Sequence, residues 1–168
     1  MACGPKYFTY INQELPTLCR RFFGIQPVPE RTYIMGLSMG GYGAMKCAFT
    51  APQQYAGCAG FSSVAEIQAE LPQLCRWHED QAIFPHGIVP PQDDLFDLVE
   101  KFRDGMCPMP RLFLACGQQD SLYPANLRLR DTLQAMNWPL TWYEAPGDHN
   151  WFFWNDALGR AMKELLEN

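Results

Sequence analysis

Three side chains in this sequence, Ser38, Asp120 and His149, are of the types that together carry out acyl transfer. A serine hydroxyl is a weak nucleophile until a base takes its proton. Histidine can do this near neutral pH, provided a carboxylate fixes its tautomer and stabilises the imidazolium that forms. Ser38 stands in Gly36-Leu37-Ser38-Met39-Gly40-Gly41-Tyr42-Gly43, a spacing that suits a sharp strand-to-helix turn lifting a nucleophilic serine out of a sheet. In such a nucleophile elbow the serine takes a strained backbone conformation. Gly36 and Gly40 are expected to make room where the strand and helix backbones converge, a β-carbon at either position clashing. A helix starting just after Ser38 aims its free N–H groups, that of Met39 first, and the positive end of its dipole at the point where a substrate oxygen would gain negative charge. The chain has four serines, and with glycine near 7% of residues a chance Gly-x-Ser-x-Gly match has a probability of roughly 2%. A phosphate-binding loop would need Gly-Lys-Ser/Thr or Gly-x-Gly-x-x-Gly, and neither is present.

The elements that must hold these residues can be read from hydrophobic pattern. Residues 31–35 form a short apolar and β-branched run, suited to a buried parallel strand, and the helix after Ser38 stops before Pro52. Residues 55–61 predict a second strand ending at Ser62-Ser63, residues 111–116 a third and residues 140–144 a fourth. Before the first strand, Phe8, Ile11, Leu15, Leu18, Cys19 and Phe22 recur at helical spacing, which predicts an amphipathic helix over 7–23, bent or restarted near Pro16, covering one face of the sheet. Residues 125–136 predict an amphipathic helix and residues 150–166 a terminal one. Alternating strands and helices imply a parallel sheet, whose ligands bind beyond the carboxyl ends of the strands. Ser38, Asp120 and His149 each fall just past such an end, in the chain order of the α/β hydrolases.

Residues 64–104 break this rhythm. A short helix over 65–71, irregular chain marked by Pro85, Pro90 and Pro91, and helix spacing over 93–102 together predict a lid-like insertion over the carboxyl end of the sheet. Asp93, Asp94 and Asp97 read as capping and charge-balancing the first turn of its second helix. His78, Glu79, Asp80 and His86 match no zinc spacing, so no metal site is assigned. Asp148 is the rival acid to Asp120, but as the immediate neighbour of His149 it would point away from the ring.

Length and composition set the frame. A chain of 168 residues suits one domain that buries about 70% of its unfolded surface. A net charge of −5 argues against a nucleic-acid groove, which needs a basic face. The first residues lack the apolar run of a signal peptide and no window could cross a bilayer, so the expectation is a cytoplasmic protein without nucleic-acid or membrane partners. The seven cysteines lack Cys-x-x-Cys pairing and read as free thiols.

The chain resembles the carboxyl-terminal part of the putative esterase family, which includes tributyrin, acetyl and feruloyl esterases and S-formylglutathione hydrolases. The resemblance runs through residues 10–16, 36–44, 116–123 and 146–151. It implies an α/β-hydrolase fold over 1–168, amino-terminally truncated, with a parallel sheet and flanking helices. It also implies cofactor-free ester hydrolysis through an acyl-enzyme, with Ser38, Asp120 and His149 as nucleophile, acid and base. Tyr42 stands where the S-formylglutathione type tends to have histidine, which favours short acyl or aromatic carboxylic esters over the thioester. The Met39 N–H is the local oxyanion donor. Leu37 and Trp151 are expected at the substrate pocket, with Phe152, Phe153 and Trp154 near it or in the core. Family members carry strands before the segment that begins here, so the first strand should present an open edge. The expectation there is self-association, and the alternative reading of the chain is a catalytically weak association module.

Overall fold

The computed structural model describes residues 5–74 and 83–167. Its centre is a four-stranded parallel sheet, β1 Tyr33–Leu37, β2 Gly57–Phe61, β3 Arg111–Gly117 and β4 Leu140–Ala145, paired in chain order. The register sets Gly36 beside Gly60 and Gly60 beside Leu114, and the carboxyl ends of all four strands emerge on one side. Each strand lies beside its predecessor. Right-handed crossovers that step in one direction place the intervening helices on a single face.

That face carries α3 Met39–Thr50, α4 Ile67–Leu74, α5 Leu95–Glu100 and α6 Tyr123–Ala135, following α1 Tyr7–Thr9 and α2 Leu15–Phe23 in the chain. Its core includes Met45, Phe49, Leu95, Val99, Phe102, Leu112, Leu114, Leu129 and Leu133, all essentially without exposure. The opposite face, centred on Ala59, Phe61, Phe113 and Ala115, is covered by α7 Trp151–Leu166 through Phe153, Trp154, Ala157, Ala161 and Leu165. β2 is buried along its length because it has a strand on each side and helices on both faces. β1 is only half-buried, having one partner strand among the described residues.

The structure differs from the sequence expectations in several places. β1 begins two residues later than predicted and runs on through Leu37, because Pro29 nucleates a 3-10 turn over Pro29–Arg31. The amino-terminal helix does restart near Pro16, through a π-helical turn Tyr10–Glu14 between α1 and α2. Its apolar stripe is not a cover for the sheet, however. Ile11, Leu18, Phe22 and Phe23 are exposed, and only Phe8 packs against the core as a half-buried side chain. In the 64–104 segment, α5 supplies Leu95 and Val99 to the core and the turn after it supplies Phe102, whose ring lies 6.3 Å from Phe49 and 4.6 Å from Trp138, themselves 5.1 Å apart between centroids. Removing one ring from this buried cluster leaves a cavity in the core. Phe49→Ala is therefore expected to cost about 3–5 kcal/mol, read as a lowered urea midpoint at unchanged slope.

Asp94 caps α5 by accepting from the N–H groups of Phe96 and Asp97 at 2.8 and 3.3 Å. Asp93 does not cap. It pairs with Lys46 of α3, and its carbonyl accepts from the Tyr42 hydroxyl at 2.6 Å. Tyr42 is thus a buried fastener between α3 and the chain before α5, and its phenol is pushed well above the usual tyrosine range, first by burial and then by the Asp93 charge. Burial likewise raises the Cys47 thiol to about 11 and the Cys116 thiol to about 12. Cys47, Cys58 and Cys116 are buried free thiols, and Cys19 and Cys107 half-buried ones, while Cys3 and Cys75 lie outside the described residues.

Candidate active site

The turn from β1 into α3 carries Ser38 at φ 54° and ψ −122°, a region that non-glycine residues enter only where the surrounding structure forces them. The forcing contacts are visible. The Ser38 N–H donates to the Phe61 carbonyl at 2.9 Å, which extends the β1–β2 pairing into the turn, while the Ser38 carbonyl accepts from Gly41, Tyr42 and Val64 at 3.0, 3.2 and 3.3 Å. A β-carbon on Gly36 would lie 2.1 Å from the Gly40 carbonyl oxygen, so Gly36 is required. Gly40 is not required for its own sake, contrary to the sequence expectation: a β-carbon there would touch nothing within 4 Å. The close approach is made by the Gly40 backbone, whereas the side-chain space that must stay empty is at Gly41, 2.2 Å from the Ser63 hydroxyl. Met39 opens α3, so its N–H is among the first-turn amides that have no intrahelical acceptor.

Asp120 leaves β3 in a tight turn and His149 leaves β4 in another. The two turns are knitted together. Gln118 N–H donates to the Ala145 carbonyl at 3.0 Å, Gln119 N–H to the Gly147 carbonyl at 2.9 Å, and Gly147 N–H to the Gln119 side chain at 2.6 Å. Their backbones approach so closely that a β-carbon on Gly117 would meet the Gly147 oxygen at 2.3 Å.

These turns bring the three side chains into one row. His149 Nε2 lies 3.0 Å from Ser38 Oγ, and His149 Nδ1 lies 2.9 Å from Asp120 Oδ2. The Asp120 carboxylate is fully buried and its other oxygen accepts from the Leu122 N–H at 2.9 Å, while the His149 ring is one-third exposed. Such a row lets the ring accept a proton from the serine on one side while the carboxylate holds Nδ1–H on the other. Asp148 takes no part in it, since its carboxylate accepts from the His149 backbone N–H at 2.7 Å.

The aromatic run after His149 divides. Asn150 caps α7 through the N–H groups of Phe152 and Phe153. Phe153 and Trp154 then turn into the core, whereas Trp151 is 62% and Phe152 93% exposed. The Trp154 ring stands perpendicular to His149 with centroids 4.9 Å apart, and its indole N–H donates to the Ser62 hydroxyl at 3.1 Å. Trp151 packs edge-on against Trp154 at 5.4 Å. Leu37 lies at the end of β1 on the α7 face. A cavity of about 490 Å³ opens beside the elbow and is lined by Ile34, Met35, Met39, Gly40 and Tyr42 among others, with neither Leu37 nor Trp151 in its wall. His86 sits at φ 65° in the 3-10 turn Pro85–Gly87, and His78, Glu79 and Asp80 lie outside the described residues.

Two participants were not anticipated from the sequence, Ser62 and Asn126. Ser62 is fully buried at φ 45°, and Asn126 is fully buried within α6. A polar residue in an amphipathic helix ordinarily reads as solvent-facing, and only its place three residues before Leu129, on the apolar stripe, could have marked Asn126 as inward.

The parallel sheet with helices on both faces, and a strained serine turn at the carboxyl end of its first strand, define an α/β-hydrolase fold of the serine hydrolase kind. FphF, a fluorophosphonate-binding serine hydrolase of Staphylococcus aureus, superposes with a TM-score of 0.88 at 30% identity over 100% of this chain and 66% of its own. FrmB, an S-formylglutathione hydrolase of the same organism, does so with 0.88 at 31% over 99% and 66%. An acetyl esterase of Caldicellulosiruptor saccharolyticus is 28% identical over 94% of this chain. The profile of the family described as "Putative esterase" matches residues 2–97, and the chain belongs to that family. It spans 63% of the length of the acetyl esterase.

Proposed function

We propose that this chain is a serine carboxylesterase acting on short acyl or aromatic esters. The observation that carries this reading is the hydrogen-bonded row Ser38–His149–Asp120 at the amino terminus of α3. In the reaction, Ser38 Oγ attacks the acyl carbonyl carbon as His149 Nε2 takes the hydroxyl proton, and Asp120 holds the imidazolium. The oxyanion forms where the Met39 N–H and the α3 dipole stabilise it. Collapse expels the alcohol, which receives the proton from His149. Water then attacks the acyl-serine with His149 as its base, and collapse breaks the bond to Ser38 Oγ, which takes the proton back from His149 as the carboxylic acid is released. None of these steps calls on a metal or cofactor. In this reading Leu37 and Trp151 flank the substrate, and the 64–104 segment acts as a lid that shapes its entry.

A second reading, thioester hydrolysis of the S-formylglutathione hydrolase type, is supported by the likeness to FrmB. The argument against it from Tyr42 loses weight, because that side chain is buried and bonded to the Asp93 carbonyl. The half-paired β1 edge and the exposed Tyr7, Tyr10, Phe22 and Phe23 support association of this chain with a second copy. One experiment addresses all three. Hydrolysis of p-nitrophenyl butyrate and of S-formylglutathione is measured on the same preparation, with mass in solution followed by light scattering. We expect turnover of the butyrate ester, a lower kcat/KM on the thioester, and a mass above that of one chain. A preference for the thioester would exchange the two readings of substrate, a monodisperse monomer would remove the association, and turnover of neither substrate would leave the chain without its proposed activity.

A further inference from the structure

Every hydrogen-bonding group of the Asn126 carboxamide is used. The Nδ2 group donates to the Ser63 carbonyl at 2.8 Å and to the Leu122 carbonyl at 2.9 Å, and Oδ1 accepts from the Ser63 N–H at 3.2 Å. The residue has no exposed surface. Its two sets of partners belong to different arms of the active site. Leu122 is the residue whose N–H binds Asp120 Oδ1 and so leaves Oδ2 to His149. Ser63 lies in the turn that grips the elbow, because Phe61 accepts from the Ser38 N–H and Val64 donates to the Ser38 carbonyl. That turn carries backbone strain, with Ser62 at φ 45°, and the Ser63 hydroxyl fills the space a β-carbon on Gly41 of α3 would need while having no hydrogen-bond partner among the described residues. Bonds to both the N–H and the carbonyl of Ser63 are what a strained turn needs if it is to stay in place.

We propose, building on the esterase reading above, that Asn126 is a positioning residue. Its carboxamide sets the spacing between the Asp120 turn and the Ser38 elbow, and through that spacing the reach of His149 to both. A misplacement near 1 Å of reacting groups costs about a hundredfold in rate, and the clamp acts on the geometry of the row without touching substrate.

The test compares Asn126→Leu, which keeps the branched heavy-atom shape and removes the bonds, with Leu133→Ala, which damages the same helix at a fully buried position outside the clamp. Asn126→Leu is expected to lower kcat for p-nitrophenyl butyrate by about ten- to a hundredfold at unchanged KM, and Leu133→Ala to lower stability with kcat within twofold. In an Asp120→Asn background the same leucine substitution should cost less than twofold, because the row it positions is already broken. A readout independent of turnover is the downfield proton resonance of His149 Nδ1–H. It should shift or broaden in Asn126→Leu and stay in Leu133→Ala. If the parent shows this resonance but no hydrolysis, the esterase reading fails while the positioning role is still decided by the spectrum. An unmoved resonance, kcat within twofold of the parent, or a full multiplicative loss in the double variant would overturn the proposal. Should Asn126→Leu not fold, Asn126→Ser is read in the same way.

Discussion

Ser38→Ala is expected to abolish covalent labelling by a fluorophosphonate probe and to lower ester turnover on the order of a millionfold, the loss seen when a serine nucleophile or its histidine is removed from such a row. The expectation is specific because each alternative lacks either access or a base. Ser62 and Ser63 are fully buried, and Ser121 does not adjoin a histidine in the row. Labelling requires a serine oxygen to attack the probe's phosphorus as fluoride leaves, its proton passing to a base, and Ser38 Oγ is the serine oxygen presented next to an imidazole nitrogen. His149→Ala should slow labelling by orders of magnitude while leaving the protein folded, since one-third of its ring already faces solvent. Mass spectrometry of the labelled peptide checks both. Label on the Ser38→Ala protein would move the nucleophile elsewhere and take the esterase reading with it.

Asp120→Asn is expected to depress turnover by up to about ten-thousandfold with little change in KM, because an amide nitrogen facing Nδ1 favours the tautomer that cannot take the serine proton. Asp148→Asn should cost less than about tenfold. Its carboxylate accepts from a backbone N–H, an acceptor role that the amide oxygen of asparagine can also fill. Steady-state kinetics of the two variants side by side decides the assignment, and a reversed ranking would hand the acid role to Asp148.

Much of the architecture was readable because its signals are local. The β1–Ser38–α3 turn is dictated within eight residues, and the strand exits at Asp120 and His149 follow from apolar runs that end in turn-forming residues. What the sequence could not carry are relations between distant backbones. Gly40 and Gly41 are equivalent as letters, and only the position of Ser63, twenty-two residues on, decides which one must lack a side chain. The same holds for residues 64–104. Leu95, Val99 and Phe102 show helical spacing, but the ring cluster that claims them is completed by Phe49 and Trp138 from either side of the chain. Asn126 is illegible for a related reason: a buried carboxamide is marked by its partners, and these are backbone atoms that leave no trace in residue identity.

The division of the row between the two faces of the sheet has a consequence for how the protein loses its chemistry. The Ser38 and Asp120 turns lead into α3 and α6, embedded in the larger core, whereas His149 leads into α7, which covers the other face by itself among the described residues. Local openings of a native protein cost anything from almost nothing up to the free energy of global unfolding. His149 therefore stands at the start of an element held to the sheet by one hydrophobic seam, by the Trp154 indole N–H to the Ser62 hydroxyl at 3.1 Å and by end bonds such as Arg111 to the Leu165 carbonyl at 2.6 Å. A local opening there is expected to withdraw the imidazole while Ser38 and Asp120, anchored in the larger core, keep their places. If the esterase reading holds, ester turnover in mild urea is expected to fall before the larger core unfolds, and so to report the local stability of a single helix.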